Sequence, residues 1–350
     1  MKHIKLFEAF STQSLTEDQI NWLDKCVRRS WSLNPLTGLV DVDGDFYCVG
    51  QGLKDFKGVA FGHVGRHFDC RDNQLTSLEG APQTVGGYFS CISNQLTSLE
   101  GAPQTVGWGF SCISNQLTSL ERAPQTVVGN FDCGSNQLTS LEGAPQTVGG
   151  NFRCNDNQLK SLEGASQTVV DGLFYCGDNQ LTSLDGAPQT VGYFDCGSNQ
   201  LTSLVGAPKP VNGDFVCDNN QLTSLDGAPK TVNGDFYCYL NQLTSLEGAP
   251  KTVGGSFSCD KNQLTSLVGA PQTVNGGFFC GSNPISERTL ESIFSLMKKG
   301  KSYQQALEEH WSEMDSEDRS LMYKDHRSLT PEESRRYDAL ATVNRIKNYL

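Results

Sequence analysis

The chain has 350 residues, of which 37% are hydrophobic and 36 are glycine, a composition too apolar for intrinsic disorder and rich in turns. Its formal net charge is −12, and residues 31–283 alone carry 23 acidic against eleven basic side chains, which disfavours a nucleic-acid partner. The sequence contains no run of about 18 apolar residues, so we expect no membrane span.

The first thirty residues predict a helical cap. Residues 1–10 carry charges at positions 2, 5 and 8 and lack the apolar run of a signal peptide, so we expect a cytoplasmic protein. Thr16 and Gln19 form a capping-box pattern at the start of a helix. Three apolar residues then share one face of that helix: Ile20, Leu23 and Val27. Such a helix would cover the exposed end of the repeats that follow.

A unit of about 21 residues then recurs along the chain. Residues 73–93 read NQLTSLEGAPQTVGGYFSCIS, and residues 94–114 read NQLTSLEGAPQTVGWGFSCIS. This period is too short for a propeller blade and predicts a solenoid. Complete units begin at ten asparagines: Asn73, Asn94, Asn115, Asn136, Asn157, Asn179, Asn199, Asn220, Asn241 and Asn262. With a degenerate copy at 41–56 and a truncated one from Asn283, we expect about twelve strands.

One unit predicts a strand, a turn and a return limb. Phe89 and Cys91 alternate with Tyr88 and Ser90, the period-two pattern of a strand with one buried face. Asn94 ends the strand, and stacked copies of it would form an asparagine ladder. The Gly-Ala-Pro segment at 101–103 forbids a long helix on the return side, so we expect that limb to be extended or a short 3₁₀ turn.

The run N-Q-L-T-S-L resembles the core of the leucine-rich repeat family, with Phe and Cys in two leucine positions. It is most similar to the short bacterial type of ubiquitin-ligase effectors, N-x-L-T-x-L-P-x-L-P-x-x-L. Here L-E-G-A-P-Q-T-V stands in place of L-P-x-L-P-x-x-L, and one extra residue, usually glycine, precedes the strand. The resemblance covers about 240 residues. The opening residues MKHIKLFEAF also resemble those of tailed-phage proteins.

This resemblance implies a right-handed repeat solenoid with a parallel sheet of about twelve strands, short non-helical return limbs, and helical caps at both ends. We therefore divide the chain into a cap at 1–30, a solenoid at 31–283 and a C-terminal helical cap or module at 284–350. Residues 284–350 contain no cysteine, so the thioester chemistry of the ligase effectors is not carried over.

Cysteine recurs with the repeat, at intervals of 20 to 22 residues. The positions are Cys48, Cys70, Cys91, Cys112, Cys133, Cys154, Cys176, Cys196, Cys217, Cys238, Cys259 and Cys280. Cysteine is small and often buried, so we expect a ladder of reduced, structural thiols. A disulfide ladder and a metal stripe are the alternatives. No histidine recurs with the cysteines.

No catalytic or cofactor motif is present, and we expect a protein that is not an enzyme and binds no cofactor. The five histidines do not recur with the repeat, although His63 and His67 lie near Cys70. The segment Asp41-Val-Asp43-Gly-Asp45 resembles part of a calcium loop but lacks its distal glutamate. The same residues fit the corner that precedes each strand, so we predict no metal site.

The outer face of the sheet is the predicted binding surface, because the repeat leaves its residues free to vary. An aromatic and acidic group falls on neighbouring coils: Tyr175, Tyr193, Asp195, Asp214, Asp235, Tyr237 and Tyr239. We interpret it as a concave, non-catalytic interface for a basic protein partner, in the host cytoplasm if a phage encodes the chain. A plain solvated face is the first alternative. The second is a glycan or ice surface built from stacked Thr and Ser, as at Thr76, Thr97, Thr118 and Thr139.

The repeat ends at Asn283, and the residues that follow have a different composition that predicts helices. Ser286 precedes a helix that ends near residue 300, and a second helix covers about 303–311. Thr330 and Pro331 begin a last helix that reaches about residue 348. These helices predict a lid on the last coil or an independent module that binds a partner.

Overall fold

The computed structural model describes residues 14–285 and five single positions after them, at 293, 295, 305, 306 and 309. The described residues form two compact units. The first comprises 14–159 with 163–172, and the second comprises 160–162 with 173–285 and the five later positions. Each unit stacks the same coil along parallel strands, so the predicted repeat solenoid is confirmed.

Each coil contributes one strand that contains its buried phenylalanine, which we call the phenylalanine strand. In the first unit these are Asp45–Tyr47, Phe68–Asp69, Tyr88–Ser90, Gly109–Ser111, Phe131–Asp132 and Phe152–Arg153. In the second unit they are the ends of Val169–Tyr175 and Thr190–Asp195, followed by Phe215–Val216, Phe236–Tyr237, Phe257–Ser258 and Phe278–Phe279. The described residues thus hold the twelve strands that the sequence predicts.

A second strand in most coils begins the approach to the phenylalanine strand, and we call it the valine strand. The first unit has Val40–Val42, Phe61–Val64, Thr84–Val85, Thr105–Val106, Thr126–Val127, Thr147–Val148 and the start of Val169–Tyr175. The second unit has the start of Thr190–Asp195, a single bridge at Val211, and Thr231–Val232, Thr252–Val253 and Thr273–Val274. The sequence predicted an extended limb here, and the limb also pairs in register with its neighbours.

Parallel pairing places identical residues side by side. Phe110 pairs with Phe89 and Phe131, and their ring centroids are 5.2 and 5.5 Å apart at interplanar angles of 14° and 13°. These rings are at most 1% exposed. Phenylalanine, cysteine, leucine and valine therefore form continuous buried stacks through each unit, and burial of this apolar surface is the main stabilising contribution.

The asparagine ladder ties each coil to the preceding one. The Asn94 side-chain nitrogen donates to the carbonyl oxygens of Cys70, Cys91 and Ile92 at 3.1–3.2 Å. Its Oδ1 accepts the Leu75 backbone N–H at 3.0 Å. Asn94 is buried, and its amide satisfies backbone groups that water cannot reach. The predicted ladder is confirmed.

The cysteine ladder is also confirmed, since all thirteen cysteines are buried with free thiols. Most of these thiols donate to the backbone of the next coil, as Cys70 does to Ser90 O at 3.3 Å and Cys91 to Ser111 O at 3.5 Å. Burial raises the pKa of the Cys280 thiol to about 12. The thiols are therefore packing groups with little thiolate character at neutral pH.

The return limb turns at glycine, without a helix. In the coil from Asn94, the Ala102 N–H donates to Leu99 O at 2.9 Å, and Gly101 between them has a φ of +86°. A β-carbon at Gly101 would lie 2.5 Å from Leu78 O of the preceding coil. This turn therefore favours glycine, both for its backbone angle and for the close approach of the coils, although Arg122 holds the same position in the next coil at a φ of 72°.

A second tight turn precedes each ladder asparagine, and it places a residue other than glycine at a φ between 51° and 58°. The residues are Asp72, Ser93, Ser114, Ser135, Asp156, Asp178, Ser198, Asn219, Leu240, Lys261 and Ser282. Polar residues tolerate this left-handed conformation best, because a short polar side chain can bond to the local backbone. Leu240 is thus the least suited of the set.

Replacing Leu240 with asparagine is expected to raise the free energy of unfolding by about 1 kcal/mol, because asparagine adopts the left-handed region at lower cost. Leu240 is 42% exposed, so little packing is lost. Urea denaturation measures the change. The reverse substitution at Asn219, which has a φ of 51° and bonds Ser198 Oγ at 3.1 Å, should lower stability. A loss of stability in Leu240→Asn would contradict this account.

The N-terminal helix Glu17–Cys26 begins with the predicted capping box, in which the Gln19 N–H donates to Thr16 Oγ1 at 3.2 Å. Its buried face differs from the predicted one. Ile20 is 38% exposed and Val27 lies outside the helix, while the buried residues are Trp22, Leu23 and Cys26. Trp22 sets this orientation, since its ring packs edge-on against Phe46 at 5.3 Å and its indole N–H donates to Gln51.

Two strands after the helix were not predicted. Val27–Arg28 pairs antiparallel with the phenylalanine strand Asp45–Tyr47, and Trp31–Leu33 pairs antiparallel with the valine strand Val40–Val42. They occupy the edges of the first coil, where unpaired backbone groups would otherwise be open to pairing with another chain.

Most of the predicted C-terminal helices lie outside the described residues. These include Ser286, Thr330 and Pro331. The five described positions after residue 285 are helical, and Ile293 and Ala306 are buried. The proposed division at residues 30 and 283 stays a prediction.

Candidate functional site

The seven predicted site residues all lie in the second unit, on the outer side of its phenylalanine strands. Phenylalanine and cysteine point to the interior, so the residues that alternate with them face outward. Tyr193 is 48% exposed, and the other six are half-buried. The structure therefore places all seven on one side of the sheet, although it gives them different local partners.

Asp214 and Asp235 stand at the start of their strands and bond the next coil. Asp214 Oδ1 accepts the Asp235 backbone N–H at 2.8 Å, and Asp235 Oδ1 accepts that of Ser256 at 2.6 Å. These carboxylates cap backbone groups of the scaffold, much as the ladder asparagines do on the other end of the strand. This structural role was not predicted.

Tyr237 and Tyr239 form an aromatic pair, with ring centroids 6.3 Å apart at 73°. The Tyr237 hydroxyl donates to Asp235 Oδ2 at 2.7 Å, and this bond, with burial second, raises the pKa of Tyr237 to about 12. The Tyr239 pKa is also raised, first by burial and then by the nearby charge of Asp218. Both rings are thus held by carboxylates and keep their protons at neutral pH.

Asp195 is the most perturbed carboxylate of the surface. Its Oδ1 accepts the Gly197 N–H at 3.0 Å, yet its pKa is raised to about 6, first by burial and then by the charges of Asp218 and Asp178. A β-carbon at Gly197 would lie 2.9 Å from Asp218 Oδ1 and 3.3 Å from Asp195 Oδ1. Two carboxylates therefore converge above one glycine.

Asp178 and Asp218 were missed by the sequence analysis. Asp218 follows Cys217 as Tyr239 follows Cys238, so comparison of neighbouring copies could have found it. Asp178 is in the left-handed turn before the ladder asparagine and accepts the Tyr175 hydroxyl at 2.9 Å, which no period-two pattern would show. Within the described ranges, neither residue forms an ion pair, and nor does Asp195.

Glycine makes room for two of the tyrosines. A β-carbon at Gly213 would lie 2.2 Å from the Tyr193 ring, and one at Gly177 would lie 2.4 Å from the Tyr175 ring. Each ring thus covers bare backbone and presents its other face outward. An exposed aromatic ring held in place in this way offers contact area at low entropic cost.

The alternative hypothesis is a ligand surface built from rows of stacked threonine and serine. The serines of these rows have a structural role. Ser77 Oγ accepts the Glu79 N–H at 3.0 Å and Ser98 Oγ accepts the Glu100 N–H at 3.2 Å, so these hydroxyls close the local turn. The threonines at 76, 97, 118 and 139 are exposed. No contact in the structure favours a repetitive ligand there.

The residues of the calcium-like segment serve separate partners. Asp41 Oδ1 accepts the His63 N–H at 2.9 Å, Asp43 accepts the Ser30 hydroxyl, and Asp45 Oδ1 accepts the His67 N–H at 3.2 Å. In the part of the chain that the structure covers, no three His, Cys, Asp or Glu side chains gather in a way that could hold a metal ion.

No helix among the described residues combines the length and apolar character that crossing a bilayer requires. No protein-family model matches the sequence. No curated protein matches it either.

Solved structures of bacterial leucine-rich repeat proteins are similar to the chain. YopM from Yersinia enterocolitica WA-314 is 16% identical over 69% of this chain and 70% of its own, with a TM-score of 0.44. YopM from Yersinia pestis, a leucine-rich effector protein, is 16% identical over 69% of this chain and 78% of its own, with a TM-score of 0.45. The functional domain of InlJ from Listeria monocytogenes, which includes a cysteine ladder, is 18% identical over 69% of this chain and 64% of its own, with a TM-score of 0.38.

Proposed function

We propose that this chain is a non-catalytic protein-interaction scaffold whose second unit binds a basic segment of a protein partner. The observation that carries the proposal is Asp195, a half-buried carboxylate beside Asp178 and Asp218 that forms no ion pair with any described residue. A lysine or arginine of the partner would supply the missing positive charge.

The pKa of Asp195 gives this proposal an energetic basis. Because the folded state raises this pKa above that of the unfolded chain, to about 6, ionised Asp195 opposes folding. Its contribution to stability is therefore present at low pH and is lost as the pH rises toward and past 6. At neutral pH the scaffold keeps an unfavourable charge, and a cationic ligand would relieve that cost on binding.

The tyrosines supply the apolar part of the contact. Tyr193 is exposed above Gly213, and Tyr237 and Tyr239 form an edge-on pair two coils after that of Tyr193. Tyrosine is enriched among the residues that dominate binding energy at protein interfaces. The proposed partner segment is thus basic with apolar side chains between its charges.

The thirteen free thiols suit a reducing compartment, which supports the proposal of a cytoplasmic site of action. If a phage encodes the chain, that compartment is the cytoplasm of its host.

Replacing Asp195 with asparagine tests the proposal, since the two side chains have the same shape and asparagine can still accept the Gly197 N–H. We expect Asp195→Asn to be more stable than the wild type at pH 8, with the gain vanishing below about pH 4. Peptides selected by the wild-type chain from a displayed random library should be rich in lysine or arginine. Their affinity for the variant should fall at least tenfold, and affinity for the wild type should fall below pH 6.

Asp226→Asn is the matched control, because Asp226 is an exposed acid of the same unit and its replacement changes the net charge equally. It should leave peptide affinity within about twofold. Selection of peptides without basic residues, or equal affinity for the wild type and Asp195→Asn, would refute the proposed binding mode.

A further inference from the structure

Three aromatic side chains from successive coils cluster on the outer face of the first unit. The His67 and Trp108 ring centroids lie 5.3 Å apart, and the Tyr88 ring lies 5.9 Å from His67 and 6.1 Å from Trp108, at 90° to the indole. Trp108 is 55% exposed and Tyr88 is 40% exposed. Large aromatic rings that stay in water on a folded surface commonly mark a contact site.

The repeat itself indicates that this cluster is a specific feature. Residues 73–93 and 94–114 are identical except that Gly87-Tyr88 in the first copy becomes Trp108-Gly109 in the second. A β-carbon at Gly109 would lie 2.4 Å from Tyr88 Cε1, so the tyrosine ring covers the bare backbone of the next coil. The only two differences between the copies thus place the aromatic residue one position earlier in the second copy. The Trp108 ring then lies beside the Tyr88 ring.

The polar edges of the cluster are open. The Tyr88 backbone N–H donates to His67 Nδ1 at 3.0 Å, which assigns the imidazole proton of a neutral ring to Nε2. The Nε2–H of His67, the indole N–H of Trp108 and the Tyr88 hydroxyl have no hydrogen-bond partner among the residues that the structure covers. Each is a donor at the rim of an apolar ring surface.

The surroundings of the rings favour an uncharged ligand. Arg66, which precedes His67 in the chain, has its Nε 3.8 Å from Asp45 Oδ1, so an acidic group stands beside its positive charge. Glycine lies against two of the rings: a β-carbon at Gly87 would lie 2.7 Å from His67 Nδ1, and one at Gly109 would lie 2.4 Å from Tyr88 Cε1. These two positions offer backbone without the apolar side chains that exclude water around a protein hot spot.

We infer that His67, Tyr88 and Trp108 form a binding site for a neutral saccharide. The C–H bonds on one face of a pyranose ring carry partial positive charge and pack against the negative face of the exposed indole. Its hydroxyl groups would accept hydrogen bonds from the three open donors around the rim. The site lies in the first unit, shares no residue with the surface around Asp195, and does not depend on the proposed function.

The experiment uses the full chain and an array of immobilised uncharged oligosaccharides, followed by calorimetric titration of those that bind. The decisive variant is Trp108→Ala, which removes the exposed indole and leaves Gly109, with the Tyr88 ring against it, unchanged. We expect the wild type to bind at least one oligosaccharide and this variant to lose at least tenfold in affinity. Its melting temperature should stay within a few degrees of the wild type.

Phe279→Ala, which removes an exposed aromatic ring of the second unit, is the control that should leave saccharide affinity unchanged. If Trp108→Ala proves less stable than expected, Tyr88→Ala provides a second test, because the Tyr88 ring is 40% exposed and contributes little to the core. The inference is overturned if the wild type binds no saccharide on the array, or if both variants bind as the wild type does. Capture of peptides through Trp108 without saccharide binding would also overturn it, in favour of a protein contact.

Discussion

Replacing Asn136 with alanine is expected to lower the free energy of unfolding by about 3 kcal/mol. The Asn136 amide nitrogen donates to Cys112 O, Cys133 O and Gly134 O at 3.0–3.1 Å, and its Oδ1 accepts the Leu117 N–H at 3.0 Å. Alanine leaves these backbone groups buried without partners, each at a cost of roughly 1–3 kcal/mol before relaxation. Urea denaturation followed by circular dichroism measures the loss.

Asn136→Asp separates the loss of the amide N–H donors from the loss of side-chain volume, because aspartate keeps the shape of asparagine and the oxygen that accepts the Leu117 N–H. An ionised carboxylate would face three carbonyl oxygens in a buried site, so its folded-state pKa is raised above the unfolded value of about 4. The stability deficit of this variant should be smallest below pH 4 and grow as the pH rises through the raised pKa. Gln137→Ala, at the exposed neighbouring position, should cost less than about 0.5 kcal/mol. A deficit at Asn136 no larger than that at Gln137 would remove the ladder as a source of stability.

The repeat made the buried frame predictable because its residues have one environment in every copy. Phe89 and Cys91 alternate with outward residues, and that alternation fixes which side faces the core. The valine strands were less visible, since two residues such as Thr84–Val85 are too short to show a period. The helix Glu17–Cys26 was predicted with its cap, but only Leu23 of its predicted face is buried, because the Trp22 contact to Phe46 is a tertiary interaction that helical periodicity does not contain.

The sequence predicted where the residues of the candidate site lie, but it did not predict which neighbouring groups they contact. Tyr193 and Asp195 follow from the alternation within their strand. The role of Asp214 as a cap for the next coil depends on which backbone group lies opposite, and that follows from stacking. Asp178 faces Asp195 from a left-handed turn, where the strand pattern has ended. The charge environment of Asp195 is therefore absent from the pattern of any single repeat, because it arises between coils.

Replacing Phe215 with alanine should lower the free energy of unfolding by about 4 kcal/mol, the range found for large-to-small changes of buried aromatic residues. Phe215 is fully buried, and its ring stacks between Phe194 at 5.5 Å and Phe236 at 5.3 Å. The stack is continuous, so neighbouring coils cannot collapse into the cavity without losing their own ring contacts. Phe279→Ala is the matched control, because the Phe279 ring is 39% exposed on the outer face and should cost less than about 1 kcal/mol. Similar losses for the two variants, measured by urea denaturation, would mean that ring stacking along the interior does not hold the coils together.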